Sequence, residues 1–367
     1  MSSLDASKLT VKTVATRKTY PPKEELSFGK VMSDHILTAE WDAETGWGTP
    51  ELKPYADFNL DPASAVFHYA FCCFEGQKAF LDSDGKVRIF RPEHNIARLN
   101  RSAKRIALPT VDTDAAVELM KKFALAEKEI IPEGRGVALY LRPTLIGTSA
   151  SLGVSRPTKA LFYIIGSPVG PAFSGKSPAV RLKATDDAVR AWPGGTGNAK
   201  LGANYSPTIV AYETAAKEGF NQNLWLFNGY VTEVGMMNFF MVFKNSQTGK
   251  LELTTYPLED GLILEGITRL SILELARERL PKDKFDVVER RVHIDEVLER
   301  SKNGELVEAF GAGTAAIVTP VKEISFHGES AHLPTGDNVG PIAADVKKWL
   351  QDIQYGVDDH VFCQRIE

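Results

Sequence analysis

A stretch rich in glycine, proline and serine divides the chain into two patterned halves. It covers residues 166–178 and has neither helical nor strand periodicity, which is typical of a linker. The chain has 367 residues, which is more than one hydrophobic core usually supports. The sequence therefore predicts two domains, over residues 1–165 and 181–367, joined by a linker at 166–180.

The first half mixes predicted strands and helices. Short alternating runs predict β structure over residues 65–90, with a turn at residues 82–85. Apolar residues at helical spacing predict a helix that begins at Pro92 and ends at Pro109. Arg98 lies off the apolar stripe of that helix. Later patterns predict a second helix at 114–129 and strands at 136–145 and 160–165.

The second half contains the strongest turn signal in the chain, Asn228-Gly229. Because apolar runs flank this pair, the sequence predicts a β-hairpin, and Glu233 falls in its second strand. A third strand and a helix follow. These elements are predicted over residues 223–227, 230–234, 238–243 and 267–276. The predicted fold class is α+β.

Composition and charge favour chemistry on small molecules. A formal net charge of −4 provides no basic field that would attract nucleic acid or anionic membranes. The cysteines, Cys72, Cys73 and Cys363, suit free thiols in a reducing compartment. No apolar stretch is long enough to span a bilayer, and the first residues lack a secretory signal. We expect a cytoplasmic protein without a metal site or a nucleic-acid or membrane partner, and a mitochondrial location stays open.

The most unusual stretch covers residues 194–205, where glycines surround Lys200. Glycines let the backbone approach a ligand closely. A phosphate-binding loop of nucleoside triphosphatases is excluded, because Ala199 and Leu201 stand where that loop requires Gly and Ser or Thr. Most lysines are solvated surface charges, so local composition leaves a functional and a surface role about equally supported.

Two other glycine positions suggest anion sites. Gly311-Ala-Gly313 imitates a dinucleotide fingerprint, but the β-rich segment after it, broken by Pro320, argues against the helix that the fingerprint requires. The amides of Gly313–Ala315 could form an anion nest or an ordinary tight turn. A helix beginning after Gly266 would present the amides of Ile267 and Thr268 to a phosphate, as most helix starts can.

Seven motifs in order resemble one family, the branched-chain aminotransferases of the class IV pyridoxal-phosphate (PLP) enzymes, eukaryotic type. They are Phe74-Glu-Gly-Gln-Lys-Ala-Phe80, Asn95-Ile-Ala-Arg98, Tyr140-Leu-Arg142-Pro-Thr-Leu-Ile-Gly147, Ser151-Leu-Gly-Val-Ser155, Gly197-Asn-Ala-Lys-Leu-Gly-Ala-Asn-Tyr205, Thr232-Glu-Val-Gly235 and Phe310-Gly-Ala-Gly-Thr314. The resemblance implies the two-domain fold-type IV architecture, with a small N-terminal α/β domain and a larger C-terminal domain around a β-barrel-like core. It also implies transamination of L-leucine, L-isoleucine and L-valine with 2-oxoglutarate.

The resemblance also implies residue roles at the cofactor. Lys200 would carry PLP as a Schiff base and then move the proton during the reaction. Glu233 would pair with the pyridinium nitrogen, and Tyr205 would donate to the phenolic oxygen. The phosphate would be held by Arg98, Thr314 and the amides of Ile267 and Thr268. Taken alone, Arg98 would be interpreted as a surface helix charge, and Glu233 as a solvated strand carboxylate.

The family's substrate pocket matches a further set of residues. Tyr69 and Arg142, with the amides of Thr314 and Ala315, match its carboxylate-recognition set. The apolar wall that accepts the branched side chain would contain Phe28, Phe74 and Tyr140, and Val154 would lie on a loop from the second subunit of a homodimer. In an arbitrary protein most such residues would be core.

Two departures from the family pattern stand out. Met236 replaces a Thr that many relatives have, which removes a hydroxyl near the expected cofactor site. Ala316 and Thr319 replace the Cys-x-x-Cys pair of mammalian relatives, so that redox switch should be absent.

Three alternatives compete with this interpretation. D-amino-acid aminotransferases and aminodeoxychorismate lyases share the lysine and the glutamate, so fold alone does not establish the substrate. A silent PLP-binding scaffold is opposed by the presence of both Lys200 and Glu233. A nicotinamide dehydrogenase would rest only on the weak pattern at Gly311.

Overall fold

The computed structural model describes residues 2–171 and 179–367, so most of the expected linker lies outside the described residues. The α-helices are α1 Ala65–Tyr69, α2 Pro92–Arg105, α3 Thr113–Ala126, α4 Ile209–Lys217, α5 Ile267–Arg279, α6 Ile294–Lys302 and α7 Pro341–Gln354. The strands are β1 Thr10–Val11, β2 His35–Asp42, β3 Gly46–Trp47, β4 Glu51–Pro54, β5 Cys72–Phe74, β6 Gln77–Leu81, β7 Val87–Phe90, β8 Ala138–Gly147, β9 Lys159–Val169, β10 Val180–Thr185, β11 Gln222–Phe227, β12 Tyr230–Val234, β13 Met237–Lys244, β14 Leu251–Thr255, β15 Phe285–Glu289, β16 Leu306–Gly313, β17 Ile317–Phe326, β18 Glu329–His332 and β19 Cys363–Ile366.

The chain forms two compact units, and the first is discontinuous in sequence. Its described part comprises residues 2–171, Ala199–Ala203 and Gln351–Glu367, and the second unit takes 179–198 and 204–350. The expected second domain ran without interruption from 181 to 367. In the structure two of its segments belong to the first unit, which is consequently the longer of the two.

A ten-stranded sheet organises the first unit, in the order β1-β4-β2-β9-β8-β6-β7-β19, with β3 and β5 paired to β2 and β8. The predicted helix at Pro92 is confirmed as α2, which buries Ile96, Leu99 and Ala103 in the core. It ends at Arg105, short of Pro109, because Ala107 adopts a left-handed conformation with φ 56°.

Two expectations in this unit were wrong. Residues 65–69 form helix α1 instead of a strand, and Phe67 there is 60% exposed, so its apolar pattern did not mark a sheet face. Strand β9 continues to Val169, beyond the expected linker start at residue 166. Gly166 fits the strand because a Cβ there would lie 3.2 Å from Leu139 and Phe123 side-chain atoms. Pro168 is tolerated because β2 pairs with β9 only up to Ile164, which leaves that end of β9 at an edge.

Six strands close into a barrel in the second unit. The order β12-β11-β10-β17-β16-β13 returns to β12 through the pairing of β12 with β13, which confirms the predicted barrel-like core. The hairpin at Asn228-Gly229 is confirmed, with φ of 49° and 78° as a tight two-residue turn requires. Strand β17 follows Gly311–Gly313, so the helix of a dinucleotide fingerprint is absent there.

Helix α5 begins as predicted at Ile267. Its buried face includes Ile272, Leu275 and Ala276, and it ends at Arg279, just before Pro281. None of the described helices is both long and apolar enough to cross a membrane.

Candidate active site

Lys200 is held in the first unit by two backbone contacts. Its amide donates to Ser102 Oγ on α2 at 2.8 Å, and its carbonyl accepts from the Phe74 amide at 3.1 Å. The next residue, Leu201, forms a β-bridge with Cys73. Lys200 Nζ lies 4.9 Å from the centroid of the Phe74 ring. The lysine is therefore fixed between α2 and β5.

The environment of Lys200 favours its neutral amine. Burial and, to a lesser extent, the positive charge of Arg98 lower the pKa of its amine to about 8, although the carboxylate of Glu75 opposes this shift. An ordinary lysine has a pKa near 10.4, so a much larger share of Lys200 is uncharged at neutral pH. Such an amine can attack a carbonyl and carry a proton. The surface interpretation of Lys200 does not fit this environment.

Arg98 belongs to a buried ion pair. Its Nε and Nη2 each lie 2.8 Å from one oxygen of Glu75, and the two residues are 4% and 0% exposed. Asn95 also donates to Glu75, at 2.8 Å. The interpretation of Arg98 as a surface charge is therefore wrong. Glu75, which the sequence analysis did not single out, sets the orientation of the guanidinium.

Tyr140 and Arg142 lie two residues apart on β8 and face the same side of the sheet. Arg142 Nη2 donates to Tyr140 Oη at 3.3 Å, and its guanidinium lies 4.7 Å from the Phe74 ring. Phe28 packs edge-on against Tyr140 at 4.8 Å. Among the described residues, the buried Nε of Arg142 has no hydrogen-bond partner, which suits a site that receives an anion.

A pocket of about 110 Å³ adjoins this cluster. Phe28, Tyr140 and Arg142 line it together with Ile165 and Ser167. Of the expected apolar wall and carboxylate set, the structure therefore brings Phe28, Phe74, Tyr140 and Arg142 together in the first unit.

Tyr69 and Val154 have different surroundings. The Tyr69 hydroxyl donates to the Leu152 carbonyl, which ties α1 to the loop at residues 151–155. Val154 on that loop is 73% exposed. Within the described part of the first unit, no hydrogen bond joins either residue to Arg142.

Glu233 is a buried carboxylate on β12 of the second unit, only 2% exposed. Its Oε1 accepts from Asn238 Nδ2 and from the Leu264 amide, both at 2.9 Å. Its Oε2 lies 2.9 Å from Arg190 Nε. Three donors favour the ionised carboxylate, so the interpretation of Glu233 as a solvated strand residue is wrong.

The start of α5 lies next to this carboxylate. Gly266 is its N-cap and no side chain caps it, as a site for an anion requires. A Cβ on Gly266 would lie 1.9 Å from Asn238 Oδ1, so only glycine fits. Asn238 therefore contacts both Glu233 and Gly266, the residue that precedes Ile267 and Thr268 at the start of α5.

Thr314 and Ala315 form the turn between β16 and β17. Asn238 on β13 pairs with Ala312 on β16, so this turn begins two residues after the pairing partner of Asn238. Tyr205 precedes a short 3-10 helix, and its carbonyl accepts from Thr208. Met236 is 67% exposed in the turn between β12 and β13.

Each unit, taken by itself, contains groups whose chemistry fits a PLP cofactor. The first has an amine with a lowered pKa, a buried arginine and the orphaned Arg142 Nε. The second has a buried carboxylate, which can pair with a protonated ring nitrogen, and an uncapped helix start, which can bind a phosphate.

Comparisons with known proteins agree with this chemistry. Residues 73–324 match the family model Amino-transferase class IV. The cytosolic branched-chain-amino-acid aminotransferase of Saccharomyces cerevisiae is 54% identical over 364 residues, which cover 98% of this chain and 96% of the relative. The mitochondrial enzyme of the same yeast is 52% identical, over 96% of this chain and 91% of the relative.

Solved structures agree on the fold. The branched-chain aminotransferase of Escherichia coli superimposes with a TM-score of 0.71 at 22% identity, over 91% of this chain and all of that one. The enzyme of Thermoproteus uzoniensis gives a TM-score of 0.69 at 24% identity, over 90% of this chain and all of that one. Both have the fold-type IV architecture.

The family expected from the sequence is thereby confirmed. Class IV aminotransferases use PLP, so PLP is the cofactor. The chain belongs to the class IV aminotransferases and, within them, to the branched-chain-amino-acid aminotransferases.

Proposed function

We propose that this enzyme transfers the amino group of L-leucine, L-isoleucine and L-valine to 2-oxoglutarate, with Lys200 as the covalent anchor of PLP. The observation that carries the proposal is Lys200, whose backbone is held by Ser102 and Phe74 and whose side-chain amine has a pKa lowered to about 8. An amine in this state can bind the cofactor and also serve as acid and base.

When bound, PLP supplies an electron sink for negative charge that develops on the amino acid. Lys200 Nζ would take the proton from the substrate Cα as a base and, as an acid, would deliver it to C4′ of the cofactor. Glu233 would hold the ring nitrogen in its protonated form, and Tyr205 would donate to the phenolic oxygen. Arg98, Thr314 and the amides of Ile267 and Thr268 would bind the phosphate.

The substrate pocket follows from the cluster around Arg142. Its orphaned Nε supports a role in binding a substrate carboxylate, together with Tyr69 and the amides of Thr314 and Ala315. Phe28, Phe74 and Tyr140 would exclude water from the branched side chain. In a homodimer, Val154 of the partner's loop would complete this wall, and its high exposure in a single chain supports that role.

We also propose a cytoplasmic location. Two close relatives from yeast are a cytosolic and a mitochondrial enzyme.

The visible spectrum of the purified protein with PLP tests the proposal. A yellow band should bleach with L-leucine and return with 2-oxoglutarate, and Lys200→Ala should abolish both changes. A response to D-alanine but not to L-leucine would keep the fold and overturn the substrates. No response to any amino acid would indicate a silent scaffold.

A further inference from the structure

Arg190 is an arginine of the second unit with a buried side chain, and the proposed function gives it no role. Its Nε lies 2.9 Å from Glu233 Oε2, and its side chain is only 7% exposed. Arginine is well suited to such a contact, because its planar guanidinium can hold several acceptors in a fixed geometry.

The other guanidinium nitrogens bind two backbone carbonyls. Nη1 and Nη2 both donate to Gly197 at 3.3 Å, and Nη1 also donates to Leu262 at 3.4 Å. Gly197 precedes Lys200 by three residues. Leu262 precedes Leu264, whose amide donates to Glu233. One guanidinium therefore joins the carboxylate to the two segments that lead to Lys200 and to the start of α5.

The Gly197 contact depends on close packing. A Cβ on Gly197 would lie 2.2 Å from the Cβ of Ala191 and 3.3 Å from the Leu262 carbonyl. Only glycine lets this backbone reach Arg190. The sequence therefore specifies both partners of this hydrogen bond, Arg190 as the donor and Gly197 as the residue whose carbonyl accepts.

The charge of Arg190 matters because Glu233 is buried. A carboxylate removed from water is costly unless a cation and hydrogen-bond donors compensate it. Asn238 and Leu264 donate to one oxygen, and Arg190 contacts the other, so donors on both oxygens fix the plane of the carboxylate. Without Arg190 the carboxylate would lose its cation and one of these constraints.

We infer that Arg190 is a positioning residue, which keeps Glu233 ionised and oriented toward the ring nitrogen of the cofactor. This inference rests on the proposed role of Glu233. Arg190 acts through the carboxylate and does not itself contact the reacting atoms.

Two ligands separate this role from a structural one. Pyridoxamine 5'-phosphate binds without a covalent bond, and its 1-deaza analogue has carbon in place of the ring nitrogen. Equilibrium dialysis against cofactor-free protein gives the preference for the first over the second. We expect Arg190→Met to reduce that preference about tenfold, since the contact that it removes is charge-assisted. Arg190→Lys keeps the charge and should regain part of the preference.

Arg181 offers a matched control. Its Nε lies 2.6 Å from Glu323 Oε2, and its Nη1 donates to the Gly219 carbonyl at 3.2 Å, a contact pattern like that of Arg190. Arg181→Met should leave the ligand preference unchanged. In a Glu233→Gln background, Arg190→Met should reduce the preference no further.

The possible outcomes are distinct. An unchanged preference in Arg190→Met, or an equal loss in Arg181→Met, overturns the inference and leaves the proposed function standing. Failure of the wild type to bind either ligand overturns the proposed function itself. If Arg190→Met does not fold, Arg190→Lys decides. Full preference for pyridoxamine 5'-phosphate in that variant would show that the guanidinium is not needed to orient Glu233, which overturns the inference.

Discussion

At Lys200, burial and a neighbouring cation act on the amine in the same direction. Desolvation is the larger cause of its lowered pKa, and Arg98 adds to it. Glu75 binds Arg98 at two points and weakens the effect of that cation on the lysine. The ion pair thus lets Arg98, for which we propose phosphate binding, lie near the lysine without an uncompensated charge.

Modification of the cofactor-free protein tests this pKa. The rate at which an amine-selective acylating reagent modifies Lys200 should rise with pH and reach half its maximum near pH 8. Peptide mapping by mass spectrometry locates the product and separates it from Lys78, whose pKa burial also lowers to about 8. A midpoint above pH 10 would contradict the environment described for Lys200.

The same shift links Lys200 to stability. Between about pH 8 and 10.4 the unfolded chain binds a proton at this lysine that the folded chain does not bind, so the free energy of unfolding should rise with pH in that window. Lys200→Met should flatten part of the rise measured by urea denaturation, and Lys78 should sustain the remainder. An unchanged rise would exclude the linkage.

Arg98→Ala should have two separable effects. Loss of its charge-assisted contacts should weaken PLP binding about ten- to a hundredfold, which corresponds to roughly 1.5–3 kcal/mol. It should also destabilise the cofactor-free protein, because Glu75 would be left buried without its cation. Adding Glu75→Gln should restore stability but not PLP affinity. Unchanged PLP affinity in the single variant would refute the phosphate role.

Among the elements, those with a strong local signal were predictable from sequence. The Asn228-Gly229 turn and the start of α2 at Pro92 are specified by residues within a few positions. The end of β9 was not, because its last residues are held as a strand by pairing with β8 across the sheet. Helix α1 has five residues, too few for a helical period to show.

The same distinction holds in the candidate site. Lys200 and Glu233 could be proposed from motifs. The ion pairs Arg98–Glu75 and Arg190–Glu233 form only after folding, because their members are far apart in the sequence. No local pattern therefore indicates the roles of Glu75 and Arg190. A buried carboxylate requires a cation, and that requirement is visible only once burial is known.

The hairpin provides a test at this scale. Gly229 has φ 78°, and a Cβ there would lie 2.0 Å from His293 Nε2. The ring of His293 cannot move freely, since its Nδ1 accepts from the Asp295 amide at the start of α6. Gly229→Ala should therefore lower the free energy of unfolding by more than the roughly 1–2 kcal/mol of backbone strain alone.

Gly304→Ala is the control for that variant. Gly304 has φ 71° and no atom within 4 Å of an added Cβ, so the substitution there adds strain without a clash. Urea denaturation compares the two. Equal losses would show that the contact with His293 contributes nothing.

At the level of the whole molecule, the first unit depends on the end of the chain. Strand β19 pairs with β7, and Phe362 packs on Phe90 and Arg91. Deleting residues 361–367 should lower the free energy of unfolding by roughly 3–6 kcal/mol, because the burial of Phe362 and Ile366 is lost.

Hydrogen exchange should locate the effect of that deletion. Alternate amides of β7 that face β19 should lose protection, while those that face β6 should keep more of it. The barrel strands β11 and β12 serve as an internal reference. Uniform loss across β7 and the barrel would instead indicate global unfolding.

The discontinuity of the first unit also bears on how the protein is made. A ribosome releases residues in order, so the nascent sheet of the first unit is exposed long before Ala199–Ala203 and β19 are synthesised. The backbone of Lys200 therefore reaches its hydrogen-bond partners Ser102 and Phe74 only after part of the second unit has been synthesised. During synthesis the protein therefore acquires Lys200 late, and an N-terminal fragment released early contains the residues of the pocket without the lysine of lowered pKa.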